Sequence, residues 1–367
     1  MSGILQGLLA SIGGAAGKPL YAWGANASGQ LGDDTRTLRS SPVQVGLDNN
    51  WSKVSMGATF SLSIKSDGTL WSWGKNNVGQ LGINSTVYRS SPVQVGSLAN
   101  WVEIACDNYS ASAIKTDGTL WSWGYANSGQ LGDNTTVIKS SPIQVGALTD
   151  WSKIVCGVYF SVAVKTDGTL WSWGRNNYGQ LGDNTIVNRS SPIQVGALTT
   201  WSVVGAGSFF TFAIKTDGTL WAWGYNYGGF LGDGTRTNRS SPVQIGALTN
   251  WSKVACTGSS AAAVKTDGTL WTWGSNYLGQ LGQNINFLIS RSSPVQVGAL
   301  TNWDKVAGRG LHVASIKTDG TLWTWGYNSS GQLGDGTVVR RSSPVQIGSN
   351  TWNSVACGNN STIALGD

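Results

Sequence analysis

The chain has one histidine, one glutamate (Glu103) and two methionines in 367 residues, so the usual materials of catalysis are scarce. A Ser/His/Asp or Cys/His arrangement could be built only around His312, and nothing near it in the sequence supplies the partners. Carboxylates are few as general acid/base pairs, because most acids recur in TDG turns or LGD motifs, where Asp ordinarily makes a local hydrogen bond. No Cys/His cluster has metal-ligand spacing, and the GDNT loops lack the alternating acids of a calcium loop. A phosphate loop is missing too, since GQLGD has no lysine to reach a phosphate. These absences predict a protein that is not an enzyme and uses no cofactor or metal.

Charge is also thinly spread. The net +6 comes from 24 Lys and Arg against 18 acids, with lysines dealt out by a repeat at Lys65, Lys115, Lys165, Lys215, Lys265 and Lys317. Nucleic-acid binders concentrate such residues on one stripe or arm, so no specific nucleic-acid partner is expected. No apolar run reaches the ~20 residues of a membrane span. Residues 1–17, MSGILQGLLASIGGAAG, lack the basic start of a signal peptide. They read instead as an apolar arm that docks on a protein partner through Ile4, Leu5, Leu8, Leu9 and Ile12. The four cysteines, Cys106, Cys156, Cys256 and Cys357, stand at one repeat position that elsewhere holds Met56, Ala206 or Gly308, which marks a small buried slot rather than a disulfide framework.

What the chain has in excess is tryptophan on a lattice. Trp51, Trp101, Trp151, Trp201, Trp251, Trp303 and Trp352 each open a unit of about 50 residues, and LWxWG returns inside each unit, with LYAWG as its first variant. Trp23 and six WxW pairs account for the remainder of the 20 tryptophans. A unit this short cannot bury its own apolar face, so the array must be read as one body.

In the unit 151–200, four short strands are expected around residues 153–156, 161–165, 169–173 and 192–195, where β-branched, aromatic or alternating apolar residues lie between turn signals. Asp167-Gly168 reads as a tight hairpin with both central residues at positive φ. Pro192 is expected to open the last strand, where a missing donor is tolerated. Four antiparallel strands per unit, repeated radially, predict an all-β, seven-bladed β-propeller over residues 18–367. The chain starts inside one unit and ends inside another, so its two ends should share the closing blade, pairing 362–365 with 20–23.

The WGxNxxGQLGD segment, the RSSPVQV that follows it and the DGTLWSWG hairpin resemble the regulator-of-chromosome-condensation repeat family, over residues 18–367. The resemblance implies a seven-bladed propeller and leaves function open, since that family includes exchange factors, inhibitors and binding proteins. The family's frequent histidine after the first strand is replaced here by Phe60, Ser110, Phe160, Phe210, Ser260 and Ser361, leaving His312 as a structural remnant. Its basic tail and exchange-factor wedge have no visible counterpart.

Against a nearly constant repeat, the differences carry the information. They cluster after the first strand and around GQLG, two connections that strand alternation puts on one face of the ring. That variable face is expected to bind a partner through Tyr159, Arg175, Tyr178, Phe209, Tyr225, Tyr227, Phe230 and Tyr277, because exposed Tyr and Arg are typical of recognition surfaces. Phe160 and Phe210 are expected to pack between blades. A two-residue insertion, QNINFLISR, adds a second partner-binding loop at Phe287 and Leu288.

The functional expectation is a non-enzymatic structural and recognition protein. The apolar start followed directly by a propeller looks like tailed-phage structural proteins, which implies a virion location as a fibre, decoration or host-attachment module facing a host protein or glycan. The alternatives are a bacterial secreted or surface propeller that binds a protein or glycan, and an exchange-factor or chromatin-type scaffold.

Overall fold

The computed structural model describes residues 17–285 and 289–367. Seven four-stranded antiparallel sheets form a ring, and in six of them the four strands follow chain order. These blades cover 51–94, 101–144, 151–194, 201–244, 251–296 and 303–346. The seventh is composite: Trp352–Cys357 and Ser361–Gly366 from the C-terminal end continue into Leu20–Gly24 and Arg39–Gln44. Its seam pairs Leu20 with Leu365 and Trp23 with Thr362, as expected from the sequence. Lys18 and Asp367 form an ion pair beside it.

The first strand of each blade, such as Trp151–Cys156, lines the central channel, and the last, such as Arg189–Gln194, forms the rim. The outer strand begins three residues earlier than expected from its proline. Pro192 falls inside it, where the register skips between Ser172 and Gly174, so the absent donor costs no ladder bond. The Asp-Gly hairpins differ from expectation as well. Only the glycine is left-handed, Gly168 at φ 78°, while the Asp167 carboxylate accepts from Thr169 N and Oγ1 at 2.9 and 2.7 Å.

The tryptophans hold each blade to its neighbour. Trp73 is wholly buried and donates Nε1 to the Gln30 carbonyl of the preceding blade at 3.0 Å. The same bond recurs around the ring, from Trp23 to Gln332 and from Trp223 to Gln180. Because a backbone oxygen accepts it, Phe230 can replace glutamine and still receive Trp273 at 3.1 Å. The second glycine of GQLG makes room for the ring: a Cβ on Gly182 would sit 2.7 Å from Trp223 Nε1, at a φ of +74° that disfavours any side chain. The opening tryptophan packs edge-on against both members of the pair, and the repeat lysine caps them, with Lys115 Nζ 3.6 Å from the Trp121 ring centroid. Trp is thus spent on lamination, and Lys on covering it.

The cysteines are free and buried, on the channel strands, as the slot reading expected. Burial pushes the thiols of Cys106, Cys156 and Cys357 up to about 12 and that of Cys256 up as well, which makes them poor nucleophiles.

Candidate functional site

Both variable connections emerge on one face, and a repeated backbone bond ties them together. The residue after WG donates its N–H to the last loop residue before the second strand: Tyr125 to Tyr109 at 3.0 Å, Arg175 to Tyr159 at 2.8 Å and Tyr225 to Phe209 at 2.9 Å. Two loops distant in sequence therefore present their side chains side by side; in three blades both are aromatic or cationic, and in the first Lys75 stands beside Thr59.

The result is a continuous arc. It starts with Lys75 over the Tyr109 ring at 5.6 Å and continues through Tyr109, Tyr125 and Tyr159, whose centroids lie 5.6–6.2 Å apart. Arg175 bridges to the next blade by lying 5.1 Å from the Phe209 ring. Tyr178 then packs on Phe209 and Tyr225 at 5.5 and 4.6 Å, and Phe230 closes the arc against Tyr225 at 5.7 Å. Tyr159 adopts a left-handed φ of 67°, unlike its equivalents in the other blades, which turns its ring onto its neighbours.

The predicted residues thus divide into three groups. Tyr159, Arg175, Tyr178, Phe209, Tyr225 and Phe230 are joined in the arc, with Phe230 also rooted in the core against Phe210 at 5.9 Å. Tyr227 and Tyr277 stand outside it and are 75% and 61% exposed. Phe287, Leu288 and the arm residues Ile4, Leu5, Leu8, Leu9 and Ile12 lie outside the described residues. Tyr109, Tyr125 and Lys75 belong to the arc although sequence reasoning passed over them.

Phe160 and Phe210 are fully buried, as expected, and the reason lies three residues upstream. A Cβ on Gly157 would stand 1.9 Å from the Phe160 ring, so phenylalanine occupies the space that glycine leaves. In two blades with a larger upstream residue a serine stands downstream: Asp107 with Ser110, and Thr257 with Ser260. His312 is buried and shares a 2.9 Å hydrogen bond with Thr362, and burial lowers its pKa to about 4, so it stays neutral at pH 7. Among the described residues no group of three His, Cys, Asp or Glu side chains could hold a metal.

Inside the arc the channel mouth holds a pair that the sequence reading missed. Asp107 of the second blade and Arg309 of the sixth occupy the same repeat position and meet across the axis, guanidinium to carboxylate at 3.9 Å. Arg309 also donates to the Cys106 carbonyl at 2.7 Å and to Asn108 Oδ1 at 3.1 Å. The Asp107 carboxylate accepts from Ser110 Oγ at 3.0 Å and from the Tyr159 N–H at 3.1 Å, which couples the channel to the arc. A cavity of about 270 Å³ opens beside Arg309, lined largely by glycines and small polar side chains of the loops.

Burial, the largest influence, pushes the Asp107 carboxyl up to about 6, against the pull of Arg309 and of the backbone and Ser110 hydrogen bonds. The folded chain therefore keeps this proton at pH values where the unfolded chain, with an ordinary carboxyl near 3.8, has released it. Stability from this group is fully present below the unfolded value and is lost as pH rises through about 6. Relative to Asp107→Asn, the chain should gain on the order of 2–3 kcal/mol between pH 7.5 and 4. Urea denaturation across that range checks it, and a flat difference would contradict the assignment.

The RCC1-like domain family model matches residues 10–286, and the regulator of chromosome condensation (RCC1) repeat matches 267–315 and 319–365. Protein RCC2 homolog of Danio rerio is 40% identical over 76 residues, 20% of this chain and 14% of that protein. Protein RCC2 of Mus musculus is 42% identical over 59 residues, 15% of this chain and 11% of that protein. The chain thus spans a minor part of the length of these curated relatives. Human WBSCR16 superposes with a TM-score of 0.86 at 22% identity, covering 95% of this chain and 99% of that one. Prp20p from Saccharomyces cerevisiae, described with its binding properties to Gsp1p and histones, gives 0.85 at 18%, covering 96% and 92%. At these identities the two structures speak for the fold alone.

The expected virion location is overturned by the curated relatives, which are proteins of the eukaryotes Danio rerio and Mus musculus. That expectation rested on a few apolar residues of the arm, whereas the family match runs through the repeats. Among the described residues no helix is long and apolar enough to cross a membrane. The repeat motifs, the seven four-stranded blades and the match over residues 10–286 together identify this chain as a member of the RCC1-like domain family.

Proposed function

We propose that the chain is a non-catalytic recognition scaffold that grips a protein partner on its variable face, over the arc from Lys75 to Phe230. The observation that carries this reading is the confinement of linked aromatic and cationic side chains to four adjacent blades of one face. Rigid rings of this kind give large contact area at small entropic cost, and they are concentrated at binding hot spots. The burial of the single histidine and of every cysteine supports a non-catalytic role. The binding properties of Prp20p to Gsp1p and histones support protein partners for a propeller of this fold. Photo-crosslinking from equivalent loop positions around the ring tests the reading. A benzophenone side chain at Tyr178 or Ser128 should capture a partner that the same group at Ser28 or Ser330, on blades outside the arc, does not.

A further inference from the structure

The repeat contains its own control experiment on arginine chemistry. In five blades the LGD aspartate receives the basic residue that opens the outer strand: Arg39 on Asp33, Lys139 on Asp133, Arg189 on Asp183, Arg239 on Asp233 and Arg341 on Asp335, at 2.6–3.5 Å. In the four arginine cases Nε donates to the carboxylate at 2.7–3.0 Å. The first blade breaks the pattern, because Ile83 stands in the aspartate position. Arg89 keeps its place on the outer strand, yet its Nε is buried without a hydrogen-bond partner, and no acid pairs with it among the described residues. The fifth blade also lacks the aspartate and leaves Arg291 Nε unpaired, but there a polar side chain, Gln283, fills the position and bonds to Thr272 Oγ1 at 2.9 Å.

In the first blade the missing carboxylate coincides with an opening. A cavity of about 450 Å³ lies between the first and second blades, with Arg89, Ile83, Val93, Leu98, Lys115 and Pro142 on its walls. No acidic side chain lines it. Lys115, 6% exposed and caged over Trp101 and Trp121, adds a second positive charge without the carboxylate that Lys65 and Lys165 find in Asp48 and Asp150. The cavity runs past the outer strands of two blades, Arg89–Gln94 and Lys139–Gln144, each paired on one side only. Such edges suit an extended chain.

We infer that this rim groove is a binding site for an extended acidic peptide segment of a protein partner. Its carboxylate takes the place on the Arg89 guanidinium that an aspartate holds in other blades, and flanking aliphatic side chains rest on Val93 and Leu98. The buried, unpartnered Nε of Arg89 makes the carboxylate the source of selectivity, since charge-assisted hydrogen bonds are the strong ones. The site lies on the rim and stands apart from the reading of the variable face.

Titration of the full chain with acetyl-Val-Asp-Val-amide and its Val-Asn-Val counterpart tests this, with hexanoate as a third probe. The Asp peptide should bind about tenfold or more tightly than the Asn peptide, the weight of one charge-assisted contact. Ile83→Asp restores the internal carboxylate and should erase that preference while preserving a cooperative melt. Arg89→Gln should erase it too, which keeps the test decisive where the first variant folds poorly. Equal binding of both peptides, no saturable binding of either, or binding of hexanoate alone would overturn the inference. So would a preference that survives in both variants.

Discussion

Deletion of residues 352–367 should turn a cooperatively melting protein into one that aggregates on expression. The segment supplies two of the four strands of the closing blade, and its inner one completes the channel wall. Its loss would leave Leu20–Gly24 as an open edge, with five backbone pairs broken at once. It would also uncover Trp23 and Leu20, both wholly buried, and remove Trp352, Ile363 and Leu365 from the cores on either side. An apolar edge of this kind is a template for pairing with another chain. The seam is non-covalent, and without it the N-terminal strands would meet the sixth blade only through contacts such as the Trp23 bond to the Gln332 carbonyl. Size-exclusion chromatography with thermal melting decides the matter: a soluble truncation with an unchanged cooperative melt would refute the clasp.

The second large effect concerns the lamination between blades. Trp223→Ala should destabilise the fold by about 3–5 kcal/mol, the usual range for a fully buried tryptophan. The residue is 0% exposed, packs edge-on against Trp201 at 6.2 Å and donates to the Gln180 carbonyl, so its removal leaves both a cavity and an unpaired buried oxygen. Trp223→Phe should recover part of the loss by refilling the cavity without restoring the bond. Trp221→Phe, at the partly exposed neighbour, should cost under about 1 kcal/mol. Chemical denaturation of the three variants checks the order; equal costs at Trp221 and Trp223 would contradict the division of labour.

Much of this was legible because repetition multiplies weak signals. Seven copies of LWxWG and a proline at matched spacing fixed the blade count, and the unmatched ends revealed the shared blade. Local turn chemistry was read less well. Asp-Gly suggested two left-handed residues, but the aspartate carboxylate prefers to hold the threonine that follows, and only the glycine is left-handed. Pro192 suggested a strand start, yet an edge strand with a register skip accommodates it inside.

The arc was half legible. Tyr178, Tyr225 and Phe230 stood out as departures from the repeat, whereas Tyr109 and Tyr125 gained meaning only once Tyr159 was seen to turn onto them. Asp107 and Arg309 are about 200 positions apart and meet only because ring closure sets equal repeat positions at equal height. Their signal was present all the same: opposite charges at one slot that otherwise holds Gly or Thr. The unpaired Arg89 likewise shows as LGI among LGD motifs, a loss that reads as neutral until the other blades display what the aspartate does.

With the tryptophan lattice as scaffold and recognition confined to the arc, equivalent loop positions should differ sharply in what they touch. Ser28, Val78, Ser128, Tyr178, Leu278 and Ser330 share one place in the repeat and so form a ring of matched sites for crosslinking. A benzophenone at each, with Thr116 and Thr216 as controls on the opposite face, should give partner adducts from Ser128, on a blade of the arc, and from Tyr178, within it. Adducts of equal yield around the whole ring, or adducts from Thr116 and Thr216 alone, would contradict it.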